Sequence, residues 1–392
     1  MGDRWLVILT ELAGVTESTG GVGRRYAAML PRLRGQGVDP VVLLFPDSPL
    51  RDGHFTNGII VRAWPSRLPR PLRLLVRAAI AWWEVVKLRP AVVVSPEWQG
   101  VAALAPRRAA LVTNLVTSMR IINEHTASPA GMGPARRLTN RLQIALEDLQ
   151  VRRSKGAIAC SSAIANWARD LFPGVDLAVV RNCIDVDTVR ALSRESHLPA
   201  GWPAESNEPS VLFVGRLEAR KGAPVAALAA GHLGARMPNV HFIFAGGRGD
   251  TRREAGPEEL MALAGPHTQG RVHFLGDVRG PELFRAMAQA SVVTCPSAWE
   301  AFGNVVLEAK ASGTPVSATS GSGFDDFCTD GVDSVMSPPG DAHALAVAWE
   351  RVLNDPALAD RISHNAAAQV DDFSAARVAA DFVAQVRRWS NP

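Results

Sequence analysis

Short runs rich in valine and isoleucine alternate with longer helical patterns, and this alternation limits the fold more than any other feature of the chain. In the first half the runs are Leu6–Thr10, Pro40–Phe45, Ile59–Ala63, Ala91–Ser95, Ala110–Val116 and Gly156–Cys160. Helical periodicity covers Gly23–Leu33, Leu72–Leu88 and Pro134–Arg153 between them. Such alternation predicts βαβ units stacked on a parallel sheet. Residues 197–209, rich in proline, glycine and polar groups, read as a linker. The pattern then restarts with Ser210–Val214, Val240–Ala245, Arg271–Leu275, Ser291–Cys295 and Pro315–Ala318. The expected architecture is α/β, with two Rossmann-like domains whose parallel sheets face across a deep cleft. A length of 392 residues also exceeds what one ordinary core serves. The expected division is 1–196, 197–374 and a last helix in 375–392, able to pack back on the N-terminal domain. Open parallel sheets hold ligands beyond the carboxyl ends of their strands, so the cleft is the expected site.

Composition removes several classes of function. The chain is 47% hydrophobic and 20% charged, as soluble globular proteins are. Its net charge is only +4, and lysine occurs at Lys87, Lys155, Lys221 and Lys310 alone. No dense basic stripe with interleaved aromatics marks a nucleic-acid binder. Cys160, Cys183, Cys295 and Cys328 lie far apart, without a metal or disulfide framework, and a reducing cytoplasm fits. The apolar run at Trp5–Thr10 lacks a cationic leader and cleavage site, so it reads as a strand. The run Leu72–Val86 is interrupted by Arg73, Arg77 and Glu84, and no run is long enough to cross a bilayer.

Three segments carry chemistry. In the first, Ser291–Pro315, a strand ends at Pro296, a loop carries Glu300 and a helix opens near Phe302-Gly303-Asn304. Asn304 is expected to cap that helix, and Gly313 with Pro315 to stop it. The amides of Gly303, Asn304 and Val305 then stand at the positive end of the helix dipole, suited to a diphosphate. Glu300 and Glu308, eight positions apart, can accept from sugar and ribose hydroxyls. In the second, Val211–Gly222, a strand ends at Gly215 and is followed by Arg216 and Lys221, cations able to share one phosphate group. In the third, Thr19–Arg25, Gly20 and Gly21 let the backbone approach a ligand closely. This glycine loop lacks the full dinucleotide fingerprint, so no nicotinamide site is read.

Together these segments resemble the retaining GT-B glycosyltransferases of the glycogen-synthase/sucrose-synthase-like superfamily, family 4. Val179–Asp185, Val272–Gly276, Phe244–Gly247 and Ser334–Asp341 extend the resemblance over nearly the whole chain. It implies that Arg216 and Lys221 hold the donor diphosphate, Glu300 meets the transferred sugar, Glu308 the ribose, and the Leu275 backbone the base. It also implies transfer with retention from a UDP- or GDP-type sugar to an acceptor hydroxyl, without metal or other cofactor. Asp185-Val-Asp187 resembles a metal-binding DxD element but falls in the hinge segment, where a structural role is the better reading. The sequence departs from the family in two places. A family histidine is replaced by Val116-Thr117-Ser118, with His125 nearby, and a glycine-rich loop with a glutamate reads Gly321–Asp326. Both departures touch the sugar subsite, where Ser118 and His125 are the candidates.

The acceptor is not named by the sequence. The loop Asn123–Arg137 is long enough to serve one, and natural-product and cell-envelope acceptors both fit. Arg62–Arg89 holds Arg62, Arg67, Arg70, Arg73, Arg77, Lys87 and Arg89 with Trp64, Trp82 and Trp83. Such a helix could rest on anionic lipid at the inner face of a membrane. The plainer reading is preferred, with its apolar side in the core and its arginines solvated. Competing functions are a nucleotide-sugar epimerase, a sugar phosphorylase, and an inactive nucleotide-sugar-binding protein; the Arg216, Lys221, Glu300 and Glu308 set favours transfer.

Overall fold

A computed structural model describes residues 3–17, 19–50, 60–64, 68–125, 133–203, 208–247 and 255–390. Ile59, Arg67, residues 126–132 of the expected acceptor loop and residues 204–207 of the expected linker lie outside them. The chain divides into two compact units, residues 1–184 with 374–392, and residues 185–373.

Unit 1 contains β1 (Asp3–Leu9), α1 (Gly21–Gly35), β2 (Val38–Leu44), β3 (Ile60–Ala63), α2 (Arg70–Leu88), β4 (Val92–Pro96), β5 (Ala110–Leu115), α3 (Met119–His125), α4 (Pro134–Arg153), β6 (Gly156–Ala159), α5 (Ser162–Leu171) and β7 (Leu177–Val179). Its strands pair in parallel in the order β3-β2-β1-β4-β5-β6-β7. Unit 2 contains α6 (Val186–Glu195), β8 (Ser210–Val214), α7 (Ala223–Gly234), β9 (His241–Ala245), α8 (Pro257–Ala264), β10 (Val272–Gly276), α9 (Pro281–Gln289), β11 (Val292–Cys295), α10 (Asn304–Ala311), β12 (Val316–Thr319), β13 (Val335–Ser337), α11 (Ala342–Asn354) and α12 (Pro356–Gln369). Its order is β10-β9-β8-β11-β12-β13, again all parallel. The central strands β4, β8 and β11 are buried along their whole length because helices cover both faces of each sheet. Strand order reverses between β1 and β4 in unit 1 and between β8 and β11 in unit 2, and loops at such switch points form ligand crevices.

The division falls at Ile184/Asp185 rather than at 196/197. The reason is α6, which buries Val186 and Val189 and packs against α9 and α10 of unit 2. The last helix, α13 (Ala375–Ser390), belongs to unit 1, where Val378, Phe382 and Val383 enter the core beside Tyr26 and Leu30 of α1. Its Trp389 lies flat against Gly156, where an added Cβ would meet the indole at 2.2 Å. The sequence did not reveal β7 or β13 as strands. Each is a three-residue edge strand, too short to show periodicity.

α2 departs from the plainer reading at Arg77, which is buried, while Leu74, Ala78, Ala81 and Val85 take the core places expected of its apolar side. Its inward residues are Leu74, Arg77, Ala78, Ala81, Glu84 and Val85, so the charges at 77 and 84 point into the protein. Arg77, 1% exposed, donates to Asp47 at 2.8 Å, to the Pro46 carbonyl at 2.9 Å and to Gln99. Glu84 accepts from Arg62 at 2.9 Å. With these two charged residues and four apolar ones filling the inward face, Leu72, Leu75, Val76, Trp82 and Trp83 remain exposed.

Candidate active site

In unit 2, two loops at the β8/β11 switch point are stapled together. The turn after β8 closes at Gly222, whose left-handed backbone (φ 78°) admits only glycine cheaply. A Cβ there would come within 1.9 Å of the Pro296 carbonyl at the end of β11. The Ala298 N–H donates to the Arg220 carbonyl at 2.9 Å, and Thr319 Oγ1 to the Ser297 carbonyl at 2.6 Å. The Gly323 N–H donates to the Glu300 carbonyl at 2.9 Å, fixing a third loop against the second.

These staples bring the expected charges together. Lys221 Nζ donates to Glu300 Oε1, which also accepts from Ser297 Oγ at 3.1 Å and lies 3.7 Å from Arg220. Arg216 and Arg220 both donate to Glu218, at 3.1 and 2.8 Å. Burial pushes the Glu300 carboxyl up, but Lys221 and then Arg220 outweigh it and hold it below the ordinary carboxylate value. Glu300 is therefore an anion that positions Lys221 at the strand ends. Arg220 was missed because it reads as one more loop arginine beside Lys221. Only the fold of the turn aims it at Glu300.

The helix opens differently from the sequence expectation. Gly303, not Asn304, is the N-cap of α10; its backbone is left-handed (φ 102°) and no side chain caps the helix. Asn304 is the first helical residue and is buried, so its side chain does not serve as the cap. A Cβ on Gly303 would strike the Phe324 ring at 2.1 Å, which makes glycine obligatory there. Helix exit follows the expectation, with Gly313 at φ 81° just beyond Ser312. Phe302 is core, packed on Phe327 with ring centroids 4.7 Å apart, so only its backbone is available to a ligand. Glu308 is buried on α10. Its charge, with those of Lys221 and Glu300, acts on Cys295, whose thiol burial pushes well up. Gly215 directly follows β8 and its carbonyl packs on Gly246, where a Cβ would approach within 1.8 Å. Leu275 sits where the β10–β9 register slips, leaving its backbone out of the regular ladder. Ser322 Oγ, in the loop where the family pattern is broken, is buried with no hydrogen-bond partner among the described residues.

In unit 1 the glycine loop already holds an anion. The Gly20 and Gly23 N–H groups donate to the two oxygens of Glu11, each at 2.8 Å. Gly21 begins α1, and a phosphate approaching these amides would displace Glu11. Arg25, the last residue of that motif, is fully buried, donating to Asn114 and to the Val180 carbonyl. Ser118 caps α3, accepting from the Ile121 N–H at 3.2 Å, while His125 ends the same helix. The structure places the two at opposite ends of α3. Asp185 caps α6 through the Thr188 N–H, in keeping with a structural role. Among the described residues no group of three or more His, Cys, Asp or Glu side chains is arranged to hold a metal ion.

A pair of buried glutamates, Glu97 just after β4 and Glu147 on α4, escaped the sequence reading. Both oxygens of Glu97 accept from the Val116 N–H at 2.9 Å. Glu147 of α4 accepts from the Gln99 and Met119 N–H groups at 3.0 and 2.8 Å. The two thus tie the loop after β5, where the family histidine is missing, to the loop after β4 and to α4. Burial raises Glu97 to about 8 and Glu147 to about 7. Both values lie above those of an unfolded glutamate, so the native state holds extra protons between about pH 4.5 and 8. Their contribution to stability is complete at low pH and lost as pH rises through these values. The urea midpoint of the wild type should therefore fall from pH 5.5 to 8.5 more than that of the Glu97→Gln/Glu147→Gln variant. Equal falls in the two proteins would refute the assignment.

Comparison with known proteins accords with this geometry. A family profile described as "Glycosyltransferase Family 4" matches residues 19–188, and one described as "Glycosyl transferases group 1" matches residues 208–355. The chain is 32% identical to the glycogen synthase of Mycobacterium tuberculosis over 225 residues, 55% of this chain and 50% of that one. It is 35% identical over 205 residues to the phosphatidyl-myo-inositol mannosyltransferase of Mycolicibacterium smegmatis, 52% of this chain and 49% of that one. These matches span about half the length of those relatives. Among solved structures, sucrose-phosphate synthase from Thermosynechococcus elongatus shares the fold at a TM-score of 0.78 and 22% identity, covering 98% of each chain. Anabaena HepE, in a complex with UDP, does so at 0.70 and 18%, covering 98% of this chain and 100% of its own. With both halves matched in order and the GT-B fold shared end to end, the chain belongs to the family 4 glycosyltransferases.

Proposed function

We propose that the protein is a retaining, metal-independent glycosyltransferase that moves a hexose from a UDP- or GDP-type sugar to an acceptor hydroxyl. The observation that carries this is the Arg216–Arg220–Lys221 cluster at the end of β8, locked by Glu300 to the loop that opens α10. Three cations and a glycine-capped helix N-terminus can neutralise a departing diphosphate, the charge that develops in the transition state. Glu308 is assigned to the ribose and the Leu275 backbone to the base. Glu300, Ser118 and His125 are assigned to the sugar and acceptor side, and the orphan Ser322 hydroxyl joins them. In the reaction the bond from the anomeric carbon to the phosphate oxygen breaks and one to the acceptor oxygen forms on the same face. The acceptor proton passes to the departing phosphate.

The names of two relatives, a glycogen synthase and a phosphatidyl-myo-inositol mannosyltransferase, support a role in glycan or lipid biosynthesis. The UDP and UDP-glucose complexes of HepE support a uridine donor. A thermal-shift series with UDP, GDP and their sugars tests the reading. A ligand that binds only the folded state at 100 times its Kd stabilises by about 2.7 kcal/mol. One diphosphate is expected to raise the melting temperature, and Glu308→Ala to reduce that rise at equal concentration. A series in which no nucleotide raises it refutes the donor site.

A further inference from the structure

The outward face of α2 is apolar along its length. Leu72, Leu75, Val76, Ala79, Trp82 and Trp83 follow one another at helical spacing and all are exposed, Leu72 by 53% and Trp83 by 58%. An ordinary surface helix places such residues inward. Here the inward face is already filled by Leu74, Ala78, Ala81 and Val85 together with Arg77 and Glu84, the last two with internal partners, and a second apolar face is left outward. Trp64 and Leu68, just before the helix, are exposed as well, and so is Leu138 on α4, which packs against α2. Contiguous exposed apolar surface of this kind marks an interaction site.

Charge identifies the occupant. Arg70, Arg73 and Arg136 crowd the start of α2 closely enough that Arg73 and Arg136 add to burial in lowering the Arg70 pKa. Arg136, Arg137 and Arg141 of α4 are exposed, and Lys87 and Arg89 are exposed at the far end of α2. The nearby acids are turned away from that face, Glu84 toward Arg62 and Asp47 toward Arg77. A second copy docked by twofold symmetry would set the cations at one end of the helix against those at the other, a repulsive arrangement. An anionic bilayer satisfies both features, since apolar side chains enter it while arginine and lysine meet the headgroups. Tryptophan favours that boundary. No helix among the described residues is long and apolar enough to cross a membrane, so contact would be along the surface.

We propose that the outward face of α2, with the basic residues at its two ends, docks on an anionic lipid surface. This stands independently of the proposed reaction. The test is co-sedimentation of the full chain with vesicles of phosphatidylcholine alone or mixed with phosphatidylglycerol. Binding is expected only to the mixed vesicles, to weaken with added salt, and to fall about tenfold or more in Trp82→Ser/Trp83→Ser. Both tryptophans are exposed, so the variant should melt as the wild type does and keep its response to nucleotide diphosphates. Quenching of native tryptophan fluorescence by brominated phosphatidylglycerol gives a reading without any variant. The proposal is overturned by equal binding to both vesicle types, by a variant that binds undiminished, or by absence of quenching. A dimer in solution that the double substitution dissociates, with vesicles ignored, would assign the face to a second copy instead.

Discussion

Alanine in place of Lys221 should lower sugar transfer by about 10²–10³-fold, the usual cost of deleting one preorganised donor to developing charge. The fold should survive. Lys221 is a quarter exposed and the Glu300 it leaves keeps Ser297 at 3.1 Å and Arg220 at 3.7 Å. The same substitution removes the strongest opposite charge acting on Glu300, whose carboxyl should then titrate at higher pH. The acid limb of the rate–pH profile should move upward with it. Lys221→Arg, which keeps the charge, should recover part of the activity without that movement. Wild-type turnover in Lys221→Ala would remove the diphosphate role. A lowered rate with an unmoved acid limb would separate Lys221 from Glu300.

The second large effect concerns stability. Lys310 of α10 is fully buried, donating to the Phe327 carbonyl and to Gln369, the latter at 2.8 Å, and lying 3.3 Å from Asp333. Lys310→Ala would strand the Asp333 carboxylate in the interior. Breaking one partner out of a buried pair costs about 3–5 kcal/mol. The urea midpoint of the full chain should fall accordingly, and donor affinity should fall with it because α10 carries Glu308 and the Gly303 terminus. Lys310→Met/Asp333→Leu, which removes both charges and keeps the volume, should recover most of the loss. If the single variant unfolds like the wild type, the pair contributes nothing.

Much of the candidate site was legible because it is local. A strand that ends in glycine, cations a few residues later, and a glutamate before a helix opening are all defined within about ten residues of chain. Arg216, Lys221, Glu300 and Glu308 were named on that basis. Three features were not legible for the opposite reason. Arg220 faces Glu300 only because the Gly222 turn packs on Pro296. Glu97 and Glu147 lie fifty residues apart and meet the same loops only once α4 is docked. Asn304 was expected to cap α10 because asparagine often does, but Phe324 pressed on Gly303 moves the cap back by one residue.

From sequence alone, the alternation of buried strands and helices fixed a parallel α/β architecture in two halves, since that periodicity is set by backbone geometry and burial within each segment. Local sequence likewise marked the segments proposed above to hold the donor diphosphate. Tertiary structure decided what periodicity cannot. It set the boundary at Ile184, because α6 finds its apolar partners in α9 and α10. It sent α13 to unit 1, where Phe382 completes a core that begins at Trp5. It also decided that two charges of α2 go inside and a second apolar face stays outside, because an amphipathic pattern does not show which residues the rest of the chain can satisfy. Asp47, Gln99 and Arg62 satisfy Arg77 and Glu84 among the buried Leu74, Ala78, Ala81 and Val85, and so Leu72, Leu75, Trp82 and Trp83 stay outward.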